Sequence, residues 1–199
     1  MALRGVVASI LVGGVLMLGS ETPHAATQLA GGTFLVARRG LPDPNFTKSV
    51  VLLLAYGPRG AVGLIINGPT DQKLSDLLPQ IDGLGGMVYG GGPVAGNSLM
   101  MLARAGGPLE DSVRVFADVH VSRSPELLKR LAEDRKGKKS IRVYAGHAAW
   151  APGQLDHEVA RGDWHIIPAD ADTVFAREPS GIWREVLPRD PLLWTMTLP

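Results

Sequence analysis

Histidines, carboxylates, hydroxyls and glycine-rich turns are the groups through which this sequence could do chemistry. The histidines stand at positions 24, 120, 147, 157 and 165. His147, Asp156, His157 and Glu158 lie close together and are of the types that hold zinc. Their spacing matches no zinc pattern, and on a helix residues 156 to 158 point in different directions. The histidines therefore read as surface and structural residues. Ser98, in Gly96-Asn97-Ser98-Leu99-Met100, lacks the closing glycine of a nucleophile elbow. Ser49 directly follows Lys48, which is not a serine-x-x-lysine spacing. Cysteine is absent, so thiol nucleophiles, thiolate metal sites and disulfides are excluded together.

The run Gly90-Gly91-Gly92-Pro93-Val94-Ala95-Gly96 invites a phosphate-loop reading but lacks the Gly-Lys-Ser/Thr that would take phosphate and magnesium. Gly90-x-Gly92-x-x-Ala95 formally fits a relaxed dinucleotide fingerprint, yet that motif needs a long buried strand before it and a helix after it. Only Met87-Val88-Tyr89 precedes it, and a strand-like segment follows. A tight backbone crossing that depends on glycine is the stronger reading.

Net charge is +1, with 20% charged and 45% hydrophobic residues in a 199-residue chain. That balance suits one globular domain and gives no global field for nucleic acid or an anionic membrane. Arg135, Lys136, Lys138, Lys139 and Arg142 form a local basic run beside Glu133 and Asp134, which reads as a solvated loop between a helix and a strand. No helix-turn-helix pattern is visible. Residues 1–26 differ from the rest. Arg4 precedes an apolar stretch from Val6 to Leu18, and the polar exit Ser20 to Ala26 ends in small residues. This is a secretory signal-peptide pattern, although cleavage after Ala26 places His24 where a small residue is preferred. The apolar stretch is shorter than the roughly 18–20 residues of a membrane span. An uncleaved tether and a cytosolic chain with a spurious extension are the alternatives. Residues 27–199 are expected to form a single domain.

Several elements must position these residues. Thr33–Ala37, Ser49–Ala55 and Ala61–Ile66 read as strands, the last two as a hairpin across Gly57-Pro58-Arg59-Gly60 and Ser49–Ala55 as buried on both faces. Thr70 is expected to cap a helix over Asp71–Leu78. Short strands are expected at Met87–Tyr89 and Leu99–Leu102. Alternation from Val113 to Val121 predicts one half-buried strand. Ser124-Pro125 opens a helix with Leu127, Leu128, Leu131 and Ala132 inside. Ile141, Val143 and Ala145 mark a strand, Gln154–Arg161 a helix closed by Gly162, Trp164–Ile167 a strand and Ile182–Leu187 a short helix. Strands outnumber helices and are mostly hairpin-connected, so the fold class is α+β.

The segments in order carry a resemblance. Gly32-Thr33-Phe34-Leu35-Val36-Ala37 is followed by Leu41-Pro42-Asp43-Pro44-Asn45-Phe46-Thr47-Lys48-Ser49 and by Gly63-Leu64-Ile65-Ile66-Asn67-Gly68-Pro69-Thr70. Tyr89-Gly90-Gly91-Gly92-Pro93-Val94 and Gly146-His147-Ala148-Ala149-Trp150-Ala151-Pro152-Gly153-Gln154-Leu155-Asp156 come next, with Trp164 beyond. Over roughly residues 31–187 this resembles the YqgE/AlgH family of bacterial proteins. The family pattern usually has arginine at Gly68, tyrosine at His147, glycine at Ala149 and Ala151, and glutamate at Asp156. The resemblance implies a mostly antiparallel bent sheet forming a pseudo-barrel with short flanking helices. It implies no enzyme activity, cofactor or catalytic residue, and a link to transcriptional regulation.

The expectation is a non-enzymatic binding or regulatory module, periplasmic or exported, with no cofactor or metal. An unknown protein partner is expected, with no direct nucleic-acid contact and no membrane span once the leader is removed. The alternatives are a small-molecule or nucleotide binder using Gly90–Gly96, and a cytosolic transcriptional regulator acting through protein contacts. The candidate surface comprises Asp43, Phe46, Asn67, Pro69, Gly91, Gly92, Pro93, His147, Trp150 and Gln154, on loops that a rigid sheet would present.

Overall fold

The computed structural model describes residues 28–81, 84–134, 141–176 and 178–188. The expected leader over residues 1–26 and the basic residues 135–139 lie outside the described residues. Strands β1 (Thr33–Ala37), β2 (Val50–Gly57) and β3 (Gly60–Ile65) form where the sequence is richest in valine, leucine and isoleucine. Both faces of these strands are covered. Phe34, Val36, Val50, Leu52 and Leu64 face one core cluster, whereas Leu35, Ala37, Val51, Leu53 and Ala61 face another. That is why the apolar runs are continuous rather than alternating.

After β3 the expected helix is largely replaced. Pro69–Lys73 is strand β4 and only Leu74–Leu77 is helical (α1), with no side-chain cap at Lys73. The Thr70 hydroxyl donates instead to the Val88 carbonyl at 2.7 Å, across to β5 (Met87–Gly90). Cross-strand pairing has overridden a capping signal. β6 runs for eleven residues, Val94–Arg104, and so takes in part of the glycine-rich stretch.

The alternating segment from Val113 is not one strand but a hairpin, β7 (Val113–Phe116) and β8 (Val119–Ser122). Its turn holds Ala117 at φ 40° and is tied by Arg114 Nε donating to the Ala117 carbonyl at 2.5 Å. A register shift between Arg114 and Phe116 accompanies it. The chain makes this turn without the asparagine or glycine that normally signals one. Helix α2 (Pro125–Glu133) starts as expected, with Ser124 Oγ accepting from the Leu127 N–H and proline in the first turn. Its Leu127, Leu128 and Ala132 pack on Val88, Met101 and Val143.

Strand β9 (Ile141–Trp150) is the hub of the sheet. The hydrogen-bonded path runs β10-β1-β2-β3-β9-β6-β8-β7, where β10 is Trp164–Pro168. One edge of β9 takes β6. The other is shared by β5 at Val143–Ala145 and by β3 at Ala148–Trp150. The β5–β9 pair is parallel and the other strand pairs are antiparallel. The path is not closed, since it ends on β10 and β7. The sheet bends until Phe116 of β7 lies against Gly32 at the head of β1; a Cβ on Gly32 would fall 2.8 Å from that of Phe116. Helices α3 (Gln154–Ala160), α4 (Ala171–Val174) and α5 (Ile182–Val186) cover the faces. Trp183 of α5 pins itself to β1 through its indole N–H, 2.7 Å from the Ala37 carbonyl. This is the expected α+β class.

Candidate functional site

The ten residues singled out from the sequence divide among separate places. Phe46, Trp150 and Gln154 come together around α3. Phe46 stacks on Trp150 at 5.8 Å and meets Trp164 edge-on at 5.5 Å. Both indole N–H groups, of Trp150 and Trp164, donate to Glu158 Oε2 at 2.9 Å. Gln154 Nε2 donates to Glu158 Oε1 at 3.0 Å, while Gln154 Oε1 accepts from the Ala151 N–H. One carboxylate thus ties β9, β10 and α3 together. Next to it the Tyr56 hydroxyl donates to Asp156 at 2.5 Å, which raises the phenol pKa.

Asp43 and Asn67 shape the loop that delivers Phe46. Asp43 Oδ1 accepts from the Asn45 N–H at 2.9 Å, an Asx turn. Asn67 Oδ1 accepts from the Val50 N–H at 2.8 Å and its Nδ2 donates to the Lys48 carbonyl at 2.9 Å. Lys48 sits at φ 55°, so Asn67 holds a strained entry into β2.

Gly91 and Gly92 occupy the fork where β3 and β5 share an edge of β9. Gly91 donates to the Ala145 carbonyl and accepts from the Ile65 N–H, each at 2.8 Å, and Gly90 donates to the Gly68 carbonyl. A Cβ on Gly91 would lie 2.4 Å from the Gly146 carbonyl oxygen. One on Gly92 would lie 2.3 Å from the His147 carbonyl carbon. The amides of Gly90 and Gly91, which a phosphate would need, are therefore spent on the fold, and the glycines serve a backbone crossing. Pro69 and Pro93 are exposed nearby. His147 and Trp150 lie within β9 rather than on a loop, because the family-like motif continues the strand as far as Trp150. His147 is half-buried opposite Val94, and its Nδ1 is buried without a partner. Burial, and then the nearby Arg123 charge, lowers its pKa.

Arg142 departs from the solvated-loop reading. It lies in β9 at 9% exposure, with its guanidinium 4.7 Å over the Tyr89 ring and a hydrogen bond to the Ala176 carbonyl. Its Nη1 and the Tyr144 hydroxyl are buried without hydrogen-bond partners, and burial raises the Tyr144 pKa. No group of three or more histidine, aspartate or glutamate side chains able to hold a metal occurs among the described residues. No helix among them is long and apolar enough to cross a membrane.

Two open features were not legible in the sequence. A groove of about 570 Å³ lies where the curled sheet brings Leu54 and Val62 opposite Val113 and Val121, with Asp111 and Arg123 among its lining residues. Val113 is 68% exposed there. A second cavity of similar volume involves the same hairpin, with His120 and Arg114 among its lining. Their signal is hidden because the alternation from Val113 to Val121 has the pattern of one continuous strand, whereas the chain turns at Ala117.

Residues 34–191 match the AlgH-like family model. The UPF0301 protein of Streptomyces avermitilis is 35% identical over 170 residues, covering 79% of this chain and 85% of that one. Its counterpart in Thioalkalivibrio sulfidiphilus is 35% identical over 162 residues, covering 78% and 87%. Among solved structures, a Corynebacterium diphtheriae protein superposes with a TM-score of 0.72 at 25% identity, covering 87% of this chain and 94% of that one. The AlgH protein of Pseudomonas aeruginosa superposes at 0.65 with 27% identity, covering 85% and 94%. On the match of its sequence and its sheet together, the chain belongs to the AlgH-like family.

Proposed function

We propose that this protein is a non-enzymatic binding module that takes an extended segment of a protein partner in the groove between β2–β3 and β7–β8. The observation that carries the reading is an apolar groove at an edge strand. β7 ends the hydrogen-bonded path and leaves one of its edges without a strand partner. Val113, strongly exposed, stands at the groove that Leu54, Val62, Met100 and Val121 line. A partner strand added to β7 would gain main-chain hydrogen bonds and place alternate side chains on that apolar surface. Glycines 90–92 are engaged within the fold, which disfavours the nucleotide-loop alternative. The near-neutral charge supports a partner other than nucleic acid.

Selection of displayed random peptides on the purified protein tests the reading. The expected ligands are extended, apolar at alternate positions, and at least tenfold weaker on a Val113→Asp variant of unchanged stability. Ligands that bind this variant equally well would overturn it. The envelope setting rests on the residue pattern of positions 1–26. Recovery of a periplasmic product whose intact mass starts near Thr27 would support export. A full-length product in the cytosol would count against it and favour a cytosolic regulatory partner.

A further inference from the structure

The face of the β7–β8 hairpin that carries Arg114 and His120 borders a cavity that shares only Ser112 with the groove. Ser112, Arg114, Asp118 and His120, with the Ala105–Leu109 loop, line a cavity of about 570 Å³. That volume is in the range of small-molecule sites, roughly 300–1,000 Å³. Its polar groups have defined hydrogen-bonding roles. The Ser112 hydroxyl is 2.6 Å from the Leu109 carbonyl and 3.1 Å from His120 Nδ1. A carbonyl only accepts, so the single hydroxyl proton goes to Leu109. Nδ1 must then be the donor to Ser112 Oγ, and the neutral imidazole keeps its lone pair on Nε2. His120 is only 5% exposed, yet its Nε2 has no partner among the described residues and is not among the buried unpaired atoms. Nε2 therefore opens on the cavity as an acceptor. The same proton assignment argues against a serine–histidine dyad, because Nδ1 cannot accept the Ser112 proton.

Arg114 stands directly opposite His120 in the ladder, so their side chains share a face. Its Nε is engaged by the Ala117 carbonyl, which leaves the two terminal nitrogens for a ligand. Asp118 gives Oδ2 to Arg104 at 2.8 Å and keeps Oδ1 unpaired. The cavity thus presents a guanidinium fork beside two acceptors, His120 Nε2 and Asp118 Oδ1. Gly106 and Gly107 in its loop have nothing within 4 Å of where a Cβ would stand, so a ligand can approach their backbone. The geometry points to a binding site for a small zwitterion of the α-amino acid class, its carboxylate on Arg114 and its ammonium on Asp118 and His120. This site shares only Ser112 with the peptide groove, and failure of either proposal leaves the other standing.

The test is a titration of the isotope-labelled full chain, followed by amide NMR, with glycine, L-alanine, L-serine and L-glutamine. Acetate and ethylamine serve as half-ligands. The expected result is saturable shifts confined to residues 105–120 for at least one amino acid. Acetate and ethylamine should each bind at least tenfold more weakly. Arg114→Gln should weaken binding at least tenfold, and Arg114→Lys should restore part of it, with the amide spectrum otherwise retained. Long-range proton–nitrogen spectra should show the His120 proton on Nδ1. Absence of shifts up to about 10 mM, which corresponds to a binding strength under about 2.7 kcal/mol, would overturn the assignment. So would acetate binding as tightly as the amino acids, or a His120 proton resident on Nε2.

Discussion

Glu158→Ala removes the one acceptor that Trp150 and Trp164 share. Both indole N–H groups lie 2.9 Å from Oε2, and the rings are 4% and 5% exposed. Neither can turn to bulk water without opening the cluster that contains Phe46, Leu155 and Ala148. A hydrogen bond to a charged group contributes about 1.5–3 kcal/mol, and a buried donor left unpaired costs about 1–3 kcal/mol. Glu158 itself is half-buried, so water can partly replace the carboxylate, and the combined loss settles near the lower end, about 3 kcal/mol. That is a large part of a total stability of about 5–15 kcal/mol. With a urea slope of about 2 kcal/mol/M, the unfolding midpoint falls by about 1.5 M at unchanged slope. Glu158→Gln keeps an oxygen for the indoles but turns its amide donor toward Gln154 Nε2, so it costs less, about 1–1.5 kcal/mol. Tryptophan fluorescence and far-ultraviolet circular dichroism should report the same transition. A midpoint shift below about 0.3 M for the alanine variant, or glutamine as damaging as alanine, would refute the reasoning.

Gly91→Ala places a Cβ 2.4 Å from the Gly146 oxygen and 2.8 Å from Leu64 Cδ2, and should cost more than about 4 kcal/mol. Gly96→Ala, with nothing within 4 Å, should change the urea midpoint by the equivalent of no more than about 0.5 kcal/mol. Asn67→Ala leaves the Val50 N–H without its side-chain acceptor and should cost about 1–2 kcal/mol by the same measurement. His147 has a folded pKa below its unfolded one. The unfolded chain therefore takes up the proton first as pH drops below about 6.5, and stability falls with it. His147→Gln should flatten this part of the stability-versus-pH curve, and retention of the full slope would assign it to another group.

Legibility in the sequence followed how local each determinant was. β1 matched its expected bounds, and β2 and β3 came close, because burial on both faces leaves an uninterrupted apolar run that no surface element imitates. Helix α2 was legible because its cap and its proline are neighbours in sequence. The β7–β8 turn was not. Ala117-Asp118 lacks the glycine or asparagine of the usual hairpin turn, Asp118 alone is a weak signal within an alternating run, and the geometry depends on Arg114 reaching back to the Ala117 carbonyl. β4 was missed because the partner of Thr70 is eighteen residues away on β5. The candidate surface suffered in the same way. Residues rich in glycine, proline and tryptophan suggest exposed loops, yet His147 and Trp150 sit inside the hub strand, and Gly91 is buried at the fork.

This placement changes what the family resemblance says about function. Asn67, Gly91, Gly92, Gly146, Trp150, Gln154 and Trp164 all have partners within the fold that account for their residue types. A sheet whose hub strand serves three neighbours needs a close crossing at Gly91 and a clamp at Glu158, whatever the protein binds. Such residue types are dictated by the architecture. They identify the fold efficiently and the ligand hardly at all. Residues free to differ without disturbing that frame are the better place to seek function. Val113 on the β7–β8 hairpin and the side chain of Asp111 just before it meet this condition: both are exposed, and the Asp111 side chain makes one long contact to Arg130 at 3.5 Å. Substitutions there should therefore alter binding while leaving the urea midpoint within about 0.5 kcal/mol of the parent, whereas substitutions in the shared motifs should alter stability first.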